Sequence, residues 1–159
     1  MKHWRIWIAF AILGAYITTW ALPSGRWGVN SGFNGGAYLC TVKDSNGTFT
    51  SRSVITLHND QTMSVIDSGQ EGPNFFSSQR GSWKTDGSRG IVARAIDFVF
   101  PQSGSGIART DFEIVFSRDR RQVTGTIKLA VFRLDEDPLE GEGTLIGTYT
   151  FTGALIEPQ

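Results

Sequence analysis

Most of the chain is a series of short runs in which hydrophobic and polar side chains alternate. In residues 108–117, for example, Phe112 and Phe116 share one face while Arg109 and Asp111 share the other. A period of two is typical of a β-strand with one buried face. Eight such runs predict eight strands, at residues 37–43, 50–58, 62–67, 78–84, 90–100, 108–117, 122–134 and 144–156.

Short connections rich in turn-forming residues separate these runs. Asn46-Gly47, Asn59-Asp60 and Asp86-Gly87 suit tight hairpin turns, and every other connection is too short to contain a crossover helix. Each strand is therefore expected to pair antiparallel with the next one. The predicted fold class is all-β, an eight-stranded antiparallel up-and-down barrel, because closure removes the exposed edges of the sheet.

The two faces of the runs predict which side of the barrel is apolar. In the last run, Leu145, Tyr149 and Phe151 oppose a row of threonines, which suits an apolar interior and a polar exterior. An outer-membrane barrel needs the reverse, an outward apolar band about 25 Å tall, and is excluded. An eight-stranded barrel is either filled by side chains or holds one small ligand. Four glycines on inward faces favour room for a ligand: Gly81, Gly125, Gly147 and Gly153.

The N-terminus has the pattern of an export signal. Lys2 and Arg5 precede an apolar run, and Thr19 and Ala21 occupy the −3 and −1 positions of a small-x-small cleavage site. The predicted domains are a signal segment at 1–21, a Gly- and Ser-rich tether at 22–36 and the barrel at 37–159. The protein is expected to be secreted or periplasmic. An uncleaved anchor formed by residues 6–22 is the alternative, and it would be the only contact with a membrane.

Charge and cysteine content narrow the partners and the chemistry. The chain has 15 basic and 15 acidic residues, and loss of Lys2 and Arg5 with the leader gives a net charge of about −2. No basic field exists to attract nucleic acid. Cys40 is the single cysteine, so no intramolecular disulfide can form, and we expect it to be a small buried hydrophobic residue.

The sequence lacks the residues that most catalytic and metal-binding sites require. Beyond the leader, His58 is the only histidine, and it flanks a predicted turn, so no Ser-His-Asp or Cys-His arrangement is expected. One histidine and one cysteine do not make a zinc site of the usual ligand type. The acidic residues of 135–142 lack the spacing of a calcium loop and predict a solvated hairpin loop. We therefore expect neither a metal nor a cofactor.

The fifth run is the exception to the alternation, because both of its faces are apolar and each carries one charge. Arg94 lies on one face and Asp97 on the other. If Arg94 points inward, its guanidinium could hold the carboxylate of a ligand. If Asp97 points inward, burial would raise its pKa toward that of a general acid or base. A third alternative is that the charge lies at the rim or is paired with Glu113 or Lys128.

Aromatic residues on the inward faces are the expected walls of a cavity. Trp83, Phe112, Phe116 and Tyr149 would line it, and the phenol groups of Tyr38 and Tyr149 could orient a ligand through hydrogen bonds.

Several motifs carry a resemblance to known barrels. The segment Arg80-Gly81-Ser82-Trp83-Lys84, with Gly87, Arg89 and 93–100, resembles a pattern of small secreted β-barrel proteins without assigned function. Gly25-Arg26-Trp27 matches the Gly-x-Trp of lipocalins, and Thr110-Asp111-Phe112 is similar to their Thr-Asp-Tyr. Resemblance to this calycin group implies a hydrophobic small-molecule ligand in a central cavity. The strand count also resembles the allene-oxide-cyclase-like barrels, which include small cyclases.

Three functional hypotheses follow from these patterns. The first is an exported barrel that binds a hydrophobic or amphipathic small molecule in its lumen, with Arg94 and the aromatic residues as ligand contacts. The second is a cofactor-independent cyclase or isomerase with Asp97 as the catalytic group, since a shaped apolar cavity needs few polar groups for such chemistry. The third is a filled barrel with a structural role in the cell envelope.

Overall fold

The computed structural model describes residues 35–70, 75–100 and 104–158. The predicted signal segment, nearly all of the predicted tether and the Gly25-Arg26-Trp27 motif lie outside these residues. In the part of the chain that is described, no helix is long and apolar enough to cross a membrane.

Eight strands form one closed antiparallel barrel, which confirms the predicted fold class. Each strand pairs with the next in sequence, and the first also pairs with the last. All strand ends lie within two residues of the predicted ones. The strands are β1 Gly36–Lys43, β2 Phe49–Leu57, β3 Thr62–Asp67, β4 Gln79–Asp86, β5 Gly90–Val99, β6 Gly106–Phe116, β7 Gln122–Arg133 and β8 Thr144–Leu155. A single turn of 3₁₀-helix, Ser68–Gln70, follows β3.

The β1–β2 turn shows how local chemistry sets the hairpins. Gly47 has a φ of +81°, which glycine adopts without strain. The Asp44 carboxylate accepts hydrogen bonds from the backbone N–H groups of Asn46 and Thr48, each at 2.9 Å. This Asx turn gives hydrogen-bond partners to two backbone N–H groups that the strand pairing leaves without one, and it thereby stabilises the turn.

A β-bulge in the β7–β8 pair changes one predicted side-chain direction. The register shifts between Leu129 and Ala130, so that Leu145 pairs with Ala130 on the outside of the barrel. Both residues are about half exposed, but Ile146 lines the rim of the cavity and Leu145 does not. The predicted inward position of Leu145 is therefore wrong, because the extra residue of a bulge reverses the alternation beyond it.

One half of the lumen is filled by side chains. This closed half lies at the end that carries the β2–β3, β4–β5 and β6–β7 turns. Its buried residues include Tyr38, Ile55, Leu57, Met63, Trp83, Ile91, Ile114, Phe116 and Phe151. The other end, with the remaining four connections, is open.

The inward glycines do not leave free space, contrary to the prediction. A Cβ at Gly81 would lie 1.9 Å from the carbonyl oxygen of Arg94, and a Cβ at Gly153 would lie 2.5 Å from Sγ of Cys40. These glycines allow close approach of a neighbouring strand or side chain. The open half owes its volume to other residues.

The backbone of the β7–β8 connection is hydrogen-bonded to the barrel, which the prediction of a solvated hairpin loop did not include. Its acidic side chains are exposed, as expected, but its backbone folds back over the outer face of the barrel. Arg109 Nη1 donates to the carbonyl oxygens of Pro138, at 2.8 Å, and Gly141, at 2.6 Å. The Arg109 guanidinium carbon lies 5.1 Å from the centre of the Phe132 ring, and both side chains are buried. The loop thus covers a small satellite core outside the lumen.

Candidate functional site

The open half of the barrel contains a cavity of about 560 Å³. The cavity is enclosed by the halves of the strands that lie nearest the open end of the barrel. It reaches solvent at the rim, where Thr50, Phe75 and Ile146 are exposed. Most of its wall is apolar. The apolar lining side chains are Val42, Val65, Phe75, Phe76, Val99, Ala108, Phe112, Ile127, Leu129, Val131, Ile146 and Tyr149.

Asp97 is the most buried charged residue of the cavity wall. It lies near the end of β5, on the same face as Ala95, and is 3% exposed. Burial raises the pKa of its carboxyl to about 7, and a hydrogen bond with the Gln79 side chain offsets part of the rise. Its Oδ1 atom has no hydrogen-bond partner among the described residues.

Gln79 and Thr110 complete this part of the wall. They lie on β4 and β6, on either side of β5, and Gln79 Nε2 donates to Thr110 Oγ1 at 3.1 Å. Ala95, a residue with a small side chain, is the register partner of Thr110 on the strand between them. Gln79 Oε1 is buried and, within the described chain, has no hydrogen-bond partner. Asp97 and Gln79 therefore present two unused acceptor atoms.

A second polar group lies on β2 and β3. The Asp67 carboxylate accepts hydrogen bonds from the hydroxyls of Ser51, at 2.9 Å, and Ser53. Its other oxygen accepts from the backbone N–H of Gly69 at 2.8 Å. All four residues line the cavity. Unlike Asp97, Asp67 has partners for both of its oxygens.

Asp97 rather than Arg94 faces the interior. Arg94 is exposed on the outer face, where its Nε donates to Oδ1 of Asp111 at 2.6 Å. Asp111 also pairs with Arg109, at 3.1 Å from Nε to Oδ2. A contact between Arg94 and a ligand in the lumen would need an inward side chain, and Arg94 is not part of the cavity wall.

The aromatic candidates fall into two groups. Phe112 and Tyr149 line the cavity. Tyr38, Trp83 and Phe116 lie in the closed half, away from the cavity wall. There the Tyr38 hydroxyl donates to the carbonyl oxygen of Arg120 at 3.1 Å, and Trp83 Nε1 donates to that of His58, also at 3.1 Å. These bonds satisfy polar groups of the core.

Sequence reasoning missed the polar lining formed by Gln79, Asp67 and the two serines. The sequence did contain a signal for the serines. Ser51 and Ser53 have the same parity along β2 as Ile55 and Leu57, so the alternation places them on the inward face. In the same way, Asp67 follows Met63 and Val65 on the inward face of β3. Polar residues on an inward face are the unusual ones in a barrel, and they mark the cavity.

The mouth of the cavity is bordered by exposed aromatic rings. Phe75 and Phe100 have ring centres 6.2 Å apart, and both are about half exposed. The part of the chain that is described contains no group of three or more His, Cys, Asp or Glu side chains that could hold a metal ion.

Comparisons with family models, with curated proteins and with solved structures give no match for this chain. The closed eight-stranded antiparallel barrel is consistent with a calycin-like fold.

Proposed function

We propose that this protein binds a hydrophobic or amphipathic small molecule in the open half of its barrel. The observation that carries the proposal is the cavity of about 560 Å³ that opens to solvent at one end. Ligand sites are typically clefts of about 300–1,000 Å³ with mostly apolar walls and a few placed polar groups. Protein interiors contain few voids larger than a water molecule, so an unfilled lumen of this size favours an occupant.

The division of the barrel supports the same function. The closed half supplies the packed core that holds the fold, so the open half is free to vary in shape. The exposed rings of Phe75 and Phe100 at the mouth give an apolar ligand a first contact surface. Together with the signal pattern of residues 1–21, these features support an exported carrier or scavenger of a small molecule, either secreted or periplasmic, or tethered through residues 6–22.

Asp97 favours a second candidate function, a cofactor-independent isomerase or cyclase. A buried carboxyl with its pKa raised to about 7 is suited to give and take protons near neutral pH. Its apolar surroundings would also shield a reacting molecule from water. The third hypothesis, a filled barrel with a structural role in the envelope, has less support because half of the lumen is open.

Binding can be tested with N-phenyl-1-naphthylamine, an uncharged probe whose fluorescence rises in apolar surroundings. We expect saturable binding with one site per barrel. The variant Val131→Trp, which enlarges a cavity-lining side chain near the mouth, should weaken it at least tenfold. Thr126→Trp on the outer face of the same strand is the matched control and should bind as the wild type does.

Two results would overturn the proposal: no saturable binding by the wild type, or unchanged binding by a folded Val131→Trp variant. If that variant does not fold, Ile146→Trp at the rim tests the same space with a smaller demand on the core, since Ile146 is half exposed.

A further inference from the structure

The described part of the cavity wall is acidic and contains no basic group. Asp67 and Asp97 both line it, and among the described residues no Lys, Arg or His side chain does. The other polar lining groups are neutral: Gln79, Thr50, Ser51, Ser53, Thr110 and the phenol of Tyr149. A ligand that enters this cavity therefore meets two carboxyl groups that have no counter-ion in the wall.

Two acceptor atoms in this wall are unused. Asp97 Oδ1 and Gln79 Oε1 are buried and lack hydrogen-bond partners within the described chain, while Gln79 Nε2 is already used by Thr110. Buried polar atoms in native proteins are nearly always hydrogen-bonded, so an unpartnered pair of acceptors at a cavity needs a donor from elsewhere. In a cavity that opens to solvent, such a donor is supplied by water or by a polar group of a bound ligand.

We propose that the ligand is an apolar molecule with a protonated amine at one end, and that the amine is bound by Asp97 and Gln79. This inference rests on the proposed binding function. An alkylammonium group carries three N–H donors and one positive charge, as a lysine side chain does. It could serve both free acceptors and supply the missing counter-charge. Asp67 adds negative charge to the same cavity, although its own oxygens are occupied by Ser51, Ser53 and Gly69.

Ligands with other polar groups fit this wall less well. A carboxylate, as in a fatty acid, would become a third negative group in a largely apolar space and would lack a basic partner. An alcohol could donate one hydrogen bond but would leave the charge of Asp97 uncompensated. Burial without a counter-ion is also what raises the pKa of the Asp97 carboxyl to about 7, and a bound cation would reverse that effect.

The test uses three probes with the same alkyl chain: n-decylamine, n-decanol and n-decanoate. Each displaces bound N-phenyl-1-naphthylamine from the whole protein at pH 8, where the amine is protonated and Asp97 is mostly ionised. Decylamine is expected to bind about tenfold more tightly than decanol, since hydrogen bonds to charged groups are the stronger ones, and decanoate should bind most weakly. Asp97→Asn should reduce the affinity for decylamine to that for decanol and leave decanol binding nearly unchanged.

Glu113→Gln is the matched control, because it removes a carboxylate of the exposed outer face of β6 and should change none of the three affinities. Val131→Trp should weaken all three probes, which identifies binding inside the cavity. If decanol or decanoate equals decylamine, or if Asp97→Asn keeps the amine preference, the inference is overturned while the binding function stands. If the wild type shows no saturable binding of the naphthylamine, the proposed function itself fails.

Discussion

The ring of Phe151 occupies the space that a side chain at Gly125 would take. A Cβ at position 125 would lie 2.6 Å from Cζ of that ring and 2.1 Å from the carbonyl oxygen of Glu113 on the neighbouring strand. Gly125 and Phe151 are register partners on β7 and β8, and Phe151 is almost fully buried. The glycine therefore lets a large ring pack against the sheet, where it helps to fill the closed half of the lumen.

Gly125→Ala should destabilise the barrel. The new methyl group would meet the Phe151 ring and a backbone carbonyl, and only the ring could move aside. Overpacking of this kind costs about 1–3 kcal/mol, so we expect the midpoint of thermal unfolding to fall by several degrees, roughly 3–10 °C. Circular dichroism measures it, and Thr126→Ala, at the adjacent exposed position, is the control. Equal midpoints for the two variants would show that the site has free space.

The strand pattern could be predicted from sequence because the alternation in most strands is unambiguous. Whether the Arg94 side chain points inward or outward could not be predicted, since β5 is apolar on both faces. The information that decides it is the register, which pairs Arg94 with Asp111 and so places both on the outer face. Register in this hairpin depends on the connection after Val99, whose geometry the sequence pattern does not define.

Leu145 illustrates a second limit of pattern reading. Opposite Leu129 and Ala130, β8 contains one extra residue, Ile146, with no break in its hydrophobic sequence, so alternation alone assigns the wrong face beyond it. Asp67, by contrast, was predictable in principle. Asp67 is two residues after Val65 and four after Met63, so the alternation of β3 places all three on the inward face. Only the expectation that charged residues lie outside argued against this position.

Asp97 should make the ligand-free protein less stable as the pH rises from about 4 to about 7. The pKa of its carboxyl is about 7 in the folded protein and near 3.8 when unfolded. Between these values the unfolded chain loses the proton while the folded chain keeps it, so stability falls with increasing pH and levels off above 7. The difference corresponds to at most about 4 kcal/mol, and less where solvent in the cavity screens the charge.

Urea unfolding at several pH values tests this linkage. Asp97→Asn should remove this part of the pH dependence and should be more stable than the wild type at pH 8. Asp67→Asn, which changes the other acidic group of the described cavity wall, is the comparison variant. A wild type and Asp97→Asn variant with parallel pH profiles would contradict the assignment.

Arg109 should hold the β7–β8 loop against the barrel. Its guanidinium donates to two loop carbonyls and lies over the Phe132 ring, and the side chain is nearly fully buried. Arg109→Ala would leave those carbonyls and the Asp111 carboxylate without this partner, at a cost of about 2–4 kcal/mol. Hydrogen exchange of residues 134–143 should become faster, with less change in the closed half.

The control for this prediction is Arg121→Ala. Arg121 forms an ion pair with Glu157 in which both side chains are exposed, and such pairs contribute about 0–1 kcal/mol. Its removal should change stability little and should not affect the loop. A loop that exchanges at the same rate with and without Arg109 would mean that the backbone alone holds it in place.

Cys40 should be unreactive as long as the barrel is folded. Its side chain is fully buried beside Gly153, and burial raises the pKa of the thiol to about 12, so almost no thiolate exists at pH 8. Because the thiolate is the reacting species, a disulfide reagent such as dithionitrobenzoate should modify one thiol per chain in denaturant and none in the native state. Thr126→Cys combined with Cys40→Ala moves the thiol to the exposed outer face and should react quickly under native conditions. Fast modification of native Cys40 would instead mean that β1 and β8 separate readily, since their pairing at Cys40 and Gly153 encloses the sulfur atom.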